Sequence, residues 1–207
     1  MTVLKTVVTS CDEGALPEAA LVVVSDHHLM LAVAAGDADA YAVLLQRHLK
    51  GMVALAQRIM GNRADADEVA QEAFLRLWTH ALRWDAGGKA QVKTWLSRVV
   101  TNLCLDRWRK KPMLPLEAAE EVVDDALDGF SIVHDGEKRN ILQKCLQRLP
   151  VKQRTAIVLS YYEELSGHEI ANVMGISSGA VESLLVRARK ALRRDLAAQQ
   201  VMQRGDL

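Results

Sequence analysis

The run Gly167-His168-Glu169-Ile170-Ala171-Asn172-Val173-Met174-Gly175-Ile176-Ser177-Ser178-Gly179-Ala180-Val181-Glu182-Ser183-Leu184 has the residue types and spacing of a helix-turn-helix. Ile170, Met174, Ile176, Val181 and Leu184 would close a small apolar core. Ala171 lets two helices cross closely, and Gly175 takes the left-handed turn between them. Ser177 or Ser178 caps the second helix. Residues from its N-terminus onward, Ser178, Gly179, Ala180, Glu182, Ser183 and Val186, are then placed to face base edges in a major groove, while Arg187, Arg189, Lys190, Arg193 and Arg194 meet phosphates. The bland alternative is a helical hairpin with a basic surface. His168-Glu169 also opens the zinc-hydrolase pattern of two histidines four apart, but Asn172 stands where the second must be, and catalytic zinc usually needs three protein ligands. His27-His28 point in different directions on a helix or strand and do not chelate readily. Both histidine sites are therefore read as surface residues, with no metal and no cofactor.

Two further segments carry patterned faces. In Asp65 to Trp78, Asp65 and Glu68 suit a helix N-cap and capping box, and Val69, Ala70, Ala73, Phe74, Leu77 and Trp78 form an apolar stripe at helical spacing. The other face holds Asp67, Glu68, Gln71, Glu72, Leu75 and Arg76, which is either a solvated surface or a docking surface. In Gln91 to Lys111, Val92, Leu96, Val99, Val100 and Leu103 make the apolar arc. Turning about 100° per residue groups Thr94, Arg98, Thr101, Asn102, Leu105 and Arg109 on a polar, basic face suited to nucleic acid. Trp84 and Trp95 flank the glycine-containing loop before this helix; they are placed either to stack on unpaired bases or to pack into the core.

These faces need helices to hold them. Aromatics make up only 4% of the chain and Gly and Pro are few, a balance that favours helices over strands, so an all-α fold is expected. The 207 residues suit one or two domains. Helical periodicity and its breaks divide them into an N-terminal extension (1–24), a first domain of three or four helices (25–111), a linker (112–136), a second domain of four short helices (137–198) and a tail (199–207). The extension reads as a short helix or a disordered tail. The second domain's helices are expected over Glu137–Arg148, Val151–Glu163, Ser166–Met174 and Ser178–Ala197.

Formal net charge is zero, which taken alone argues against a polyanionic partner. The charge is segregated, however. Pro112 to Gly136 holds seven acidic residues and no Lys or Arg, while Arg98 to Lys111 and Arg187 to Arg194 are basic. Local charge decides where phosphate can bind. Cys11, Cys104 and Cys145 have no zinc-like spacing and fit a reducing cytoplasm, with inert thiols preferred to redox sensors. No apolar run reaches the roughly 18 to 20 residues of a membrane span, and Asp12 and Glu13 interrupt any signal-peptide core. A cytoplasmic protein without membrane insertion is expected. No nucleophile, acid-base pair or metal set converges, so no enzyme activity and no small-molecule substrate are expected.

Taken together, Asp65 to Trp78, then Thr94-Trp95-Leu96 with Asn102 and Asp106-Arg107, then Leu149-Pro150 through the helix-turn-helix to Arg187-Ala188-Arg189-Lys190-Ala191-Leu192, resemble the bacterial extracytoplasmic-function (ECF) sigma factors. The likeness spans roughly Asp26 to Leu196. It implies two helical domains, region 2 and region 4, around an acidic linker. It implies that Asp65, Asp67, Glu68, Gln71, Glu72, Leu75 and Trp78 dock on core RNA polymerase. The loop Thr79 to Ala90 and the helix after it would then read the promoter −10 element and hold a flipped base, through Arg98, Asn102, Arg107 and Arg109 beside Trp84 and Trp95. The recognition helix would read the −35 element. The resemblance also implies an anti-sigma partner and a linker threaded through polymerase channels, although a plain soluble spacer explains the acidic composition equally well. Many relatives carry basic or polar residues where this chain has Glu182, Leu184 and Val186, which leaves the promoter sequence open. A stand-alone dimeric regulator using the same helix-turn-helix is the alternative.

Overall fold

The computed structural model describes residues 24–85, 91–110 and 134–205, and its regular elements within them are helical. The N-terminal extension with Cys11, part of the glycine-containing loop, and nearly all of the acidic linker lie outside the described residues. The first domain comprises α1 (Asp26–Ala34), α2 (Ala38–Met60), α3 (Arg63–His80), a 3-10 turn (Ala81–Arg83) and α4 (Val92–Lys110). The second comprises α5 (His134–Gln147), α6 (Val151–Tyr161), α7 (Gly167–Met174) and α8 (Ser178–Gly205). Here α5 starts three residues before the expected Glu137, α6 stops two before Glu163, and α8 runs past Ala197 to Gly205.

In the first domain α2 is the central post, with α1, α3 and α4 packed around it. Leu44, Leu55 and Ile59 of α2 meet Val69, Phe74 and Leu77 of α3 and Val92, Leu96 and Val100 of α4 in a continuous buried core. Each large side chain so buried contributes roughly 1.5–3 kcal/mol. Ala66, Ala70 and Ala73 keep α3 narrow on its buried side. Polar contacts fix the helices relative to one another. The Tyr41 hydroxyl donates to the Phe74 carbonyl at 3.0 Å, and Asp26 is met by Arg47 Nη1 at 2.7 Å and His48 Nε2 at 2.6 Å.

The start of α3 differs from the expectation. Its N-cap is Asn62, whose side chain accepts from the Asp65 N–H at 2.7 Å, and no capping box joins Asp65 to Glu68. Gly61 closes α2 at φ 91°, so only Gly61 and Asn62 separate the two helices and the cap falls three residues earlier. Asp65 instead lies in the first turn, where its charge suits the helix dipole.

In the second domain α8 runs across α5, α6 and α7. The helix-turn-helix is capped at both ends. The Ser166 N–H donates to Glu169 Oε2 at 2.8 Å and the Glu169 N–H to Ser166 Oγ at 3.3 Å, while Gly175 ends α7 at φ 65°, ψ 38°. The Ser166 hydroxyl and N–H hold the Glu169 carboxyl below its usual value. Ser177 accepts from the Ala180 N–H at 3.2 Å and so resolves the choice of cap between Ser177 and Ser178. The core of the motif is Ile170, Ala171, Val173, Met174, Val181, Leu185 and Ala188, with Ile176 and Leu184 only partly buried. The α8 stripe is therefore centred on 181, 185 and 188, with Leu184 packed at its edge.

A Cβ at Gly175 would meet no other atom within 4 Å, so Gly175→Ala tests backbone conformation alone. The substitution is expected to destabilise the chain by about 1–2 kcal/mol, the usual cost of left-handed backbone for an L-residue, read as a lower urea midpoint at constant slope.

Candidate nucleic-acid interface

The outer side of α3 is exposed and mixed in character. Asp67 is held by Arg63 Nε at 2.9 Å, Glu72 by Arg76 Nε at 2.8 Å, and Glu68 by Arg107 Nη1 of α4 at 2.8 Å. Gln71 lies open among them. Leu75 is 62% exposed, Trp78 40% and Leu82 of the 3-10 turn 78%, a solvent-facing apolar stripe at helical spacing. Trp78 thus stands half out of the core stripe to which the periodicity assigns it, its ring edge-on to Tyr41 at 5.0 Å. The sequence reading missed Leu82, although the spacing 75, 78, 82 is its signal. Apolar side chains ringed by carboxylates make a surface suited to a protein partner, not to phosphate.

The two tryptophans meet a group of histidines. Trp84 Nε1 donates to His27 Nδ1 at 3.1 Å, and the Trp95 ring lies 4.7 Å from His80, stacked at 14°. His27 is thus a packing partner and not the surface residue expected, whereas His28 and His168 are exposed. Arg76, Thr79, His80, Leu82, Arg83 and Trp95 line an open hollow of about 370 Å³. Its aromatic wall and the Arg83 guanidinium suit a planar, electron-rich ligand such as a nucleobase with its phosphate, while Arg76 is held by Glu72.

Along α4, Arg98, Asn102 and Arg109 are exposed, Arg109 also contacting Asp106 at 3.0 Å. Arg107 is half-buried through its ion pair with Glu68. Thr94 is exposed, but Thr101 and Leu105, expected on the same polar face, are buried. The reason is tertiary: α6 and α7 of the second domain pack against α4 on that side. On the opposite arc Val92, Leu96, Val100 and Leu103 are buried as expected, and Val99 is half-buried.

On α8, Ser178, Gly179, Glu182, Ser183, Val186, Arg187 and Lys190 are exposed, and Ala180 is half-buried at the first turn. The Arg189 guanidinium lies 5.9 Å from the Tyr161 ring centroid, and Val186, Arg189, Lys190 and Arg193 line a basic hollow of about 400 Å³. Polar residues at the helix start and cations one to three turns on match a helix that enters a major groove by its N-terminus.

Neither described cysteine is placed to react. Burial pushes the Cys104 thiol up to about 12 despite Arg107 nearby, and burial likewise raises Cys145. No three His, Cys, Asp or Glu side chains among the described residues gather as a metal site, and no described helix is long and apolar enough to cross a membrane. In a Cys11→Ser chain at about pH 8, Ellman's reagent is expected to find no fast thiol until unfolding. A thiol that reacts within seconds in the folded chain would contradict this placement.

Residues 44–112 match the family described as Sigma-70 region 2, and residues 139–192 the family described as Sigma-70, region 4. The chain is 37% identical over 172 residues to the ECF RNA polymerase sigma factor SigW of Bacillus subtilis, covering 78% of this chain and 91% of the relative. It is 35% identical to the ECF RNA polymerase sigma factor SigM of Mycobacterium tuberculosis, covering 82% and 84%. Among solved structures, CnrH in complex with the cytosolic domain of CnrY is similar at a TM-score of 0.60 and 26% identity, covering 84% of this chain and 97% of that one. RpoE of Bartonella quintana, solved with the anti-sigma factor NepR, shares the fold at a TM-score of 0.59 and 22% identity, covering 74% and 94%.

Proposed function

The chain belongs to the ECF family of bacterial RNA polymerase sigma factors, and from that membership we propose how its surfaces divide the work of promoter-specific initiation. Sigma factors are specificity subunits and not classical enzymes: they bind core polymerase and direct it to promoters. The observation that carries the division is the exposed stripe Leu75, Trp78 and Leu82 among the carboxylates of α3, on the same chain as a capped helix-turn-helix with a basic trailing helix.

Core polymerase docks on the outer side of α3, through Glu68, Gln71, Leu75 and Trp78, with Asp65, Asp67 and Glu72 at its margin. Leu75 and Trp78 supply the desolvated centre and the carboxylates the oriented rim. The −10 strand follows Arg98, Asn102 and Arg109 along α4. A base unstacked from the duplex enters the hollow beside Trp95 and His80, where aromatic contact offsets the few kcal/mol that flipping costs. Trp84, tied to His27, frames this region, and Arg107 joins the strand once it leaves Glu68. At the −35 element α8 enters the major groove by Ser178 to Ser183, with Arg187, Arg189 and Lys190 on the backbone. Glu182 is placed to accept from a cytosine amino group.

A stand-alone dimeric regulator would use only the helix-turn-helix and leaves the first domain's match without a role. Control by an anti-sigma partner rests on the fold shared with a sigma factor solved beside one, and on CnrH, solved with the cytosolic domain of CnrY. The site of action is where core polymerase and DNA are, the cytoplasm.

The first test is transcription in vitro with bacterial core polymerase on a promoter pool, with transcript starts sequenced. Defined starts are expected only when this protein is added, sharing two upstream elements; no stimulation across several cognate cores would sink the assignment. Leu75→Glu is expected to lower these transcripts at least about tenfold, as removal of an interface anchor does, while the isolated chain keeps its helical circular dichroism. On duplex −35 DNA, Lys190→Ala is expected to weaken binding evenly across sequences and to reduce the slope of log affinity against log salt by about 1. An unchanged slope would remove Lys190 from the phosphate contacts.

A further inference from the structure

The hollow beside Trp95 and His80 is joined ring by ring to α1. The His80 ring, stacked on Trp95, also meets Trp84 edge-on at 6.1 Å and 89°. Trp84 ends the 3-10 turn, and its indole N–H reaches back to His27 Nδ1 at 3.1 Å. Both His27 and Trp84 are half-buried, so water competes poorly for this bond. One wall of the hollow thus rests on a side chain of the first helix.

That helix can serve as an anchor because its own start is fixed. The Asp26 carboxylate takes Arg47 Nη1 and His48 Nε2 of α2, and Arg47 Nη1 also donates to the Val24 carbonyl at 2.7 Å. Leu29, Met30, Ala32 and Val33 seat α1 in the core. Successive helical residues point about 100° apart, so Asp26 turns to α2 while His27 turns to the 3-10 turn.

An indole N–H only donates, so the ring nitrogen it meets must offer a lone pair. His27 accepts while it is uncharged, with its proton on Nε2. The indole presents its N–H edge here, with the ring centroids 6.4 Å apart and tilted by 55°. That edge is positive, so an imidazolium at this place is repelled, unlike a cation over a ring face. Neighbouring charges do not offset the repulsion. On α1 the Asp26 carboxylate is engaged by Arg47 and His48 of α2, and the His28 ring lies edge-on at 6.1 Å. Arg83 of the 3-10 turn and Asp85 after it are exposed, and α3 contributes His80 against Trp84. Among the described residues no carboxylate pairs with His27.

We propose that His27 is a positioning residue for the base-reading hollow, and that it acts only in its neutral form, so that acid weakens capture of the −10 base. Its bond to Trp84 fixes the end of the 3-10 turn and, through the indole, the His80 ring. When the acceptor is protonated or removed, the indole turns to water, and His80, Leu82 and Arg83 lose their fixed orientation around the hollow. This role rests on the reading of the hollow as the site of the unstacked base, while the bond itself can be followed without DNA.

His27→Asn places an amide oxygen where Nδ1 stands and does not titrate. His27→Phe keeps a ring of similar shape and has no acceptor. Each chain is assembled with core polymerase and titrated onto a fluorescein-labelled non-template single strand, taken from the −10 region of a promoter mapped by the transcription assay. At about pH 8 the wild type and His27→Asn are expected to bind alike and His27→Phe about fivefold more weakly, the factor that one ordinary hydrogen bond carries. At about pH 5.5 the wild type is expected to fall about fivefold relative to His27→Asn, a ratio in which every other titrating group cancels. In the free isotope-labelled chain, the Trp84 indole N–H resonance is expected to move with pH in the wild type and to hold still in His27→Asn. Unchanged helical circular dichroism and unchanged affinity for duplex −35 DNA exclude a general loss of folding, as does recovery in His27→Asn. Equal strand affinity in the wild type and His27→Phe, or parallel pH profiles in the wild type and His27→Asn, would overturn the positioning role alone. A wild-type holoenzyme that binds the strand no better than core polymerase overturns the reading of the hollow, and this role with it.

Discussion

A single helix has one circumference, and α4 must divide its own three ways. Its inner arc, Val92, Leu96, Val100 and Leu103, completes the first domain's core. A second arc from Ser97 to Trp108 meets the other domain, and a third bears Arg98, Asn102 and Arg109 in solvent. The inner arc cannot be given up, because α2 and α3 are aligned by packing against it. The two outer arcs adjoin, so what occupies one limits the other. Inter-domain contact, the solvent-facing arc and core stability are coupled by helix geometry before any partner arrives.

Much of this was legible in the sequence because local rules and tertiary packing agree. Gly175 with Ser166 and Glu169 marks the helix-turn-helix by turn and cap chemistry that needs no distant contact. The buried side of α3 follows from its small and large apolar residues at helical spacing. What could not be read depended on contacts far along the chain. Thr101 and Leu105 obey the polar-face plot of their own helix and are buried only because α6 and α7 lie against it. His27 reads as a surface histidine until Trp84, 57 positions away, accepts it as a partner. The cap at Asn62 was missed for a local reason: two acidic residues at capping-box spacing compete with an asparagine that follows a left-handed glycine.

The net charge of zero conceals how charges are spent inside the fold. Several cations that composition offers to phosphate are already engaged: Arg63 with Asp67, Arg76 with Glu72, Arg107 with Glu68, and Arg154 over the Trp108 ring. The exposed pairs are worth little individually and weaken with salt. The cations at Arg98, Arg187, Lys190 and Arg193 lie exposed on α4 and α8, the two helices proposed to meet DNA, which accounts for a neutral chain presenting locally basic surfaces.

The Arg107–Glu68 pair joins the outer side of α3 to the basic end of α4. Any partner that takes Glu68 competes with Arg107 and sets it free; any phosphate that takes Arg107 does the same for Glu68. The two surfaces are therefore thermodynamically linked, and the linkage is reciprocal. An exposed pair of this kind carries at most about 1 kcal/mol, so each ligand strengthens the other by a factor of up to about five. The bridge acts as a modest communication line inside one domain, transmitting occupancy between its two faces by exchange of a single ion pair.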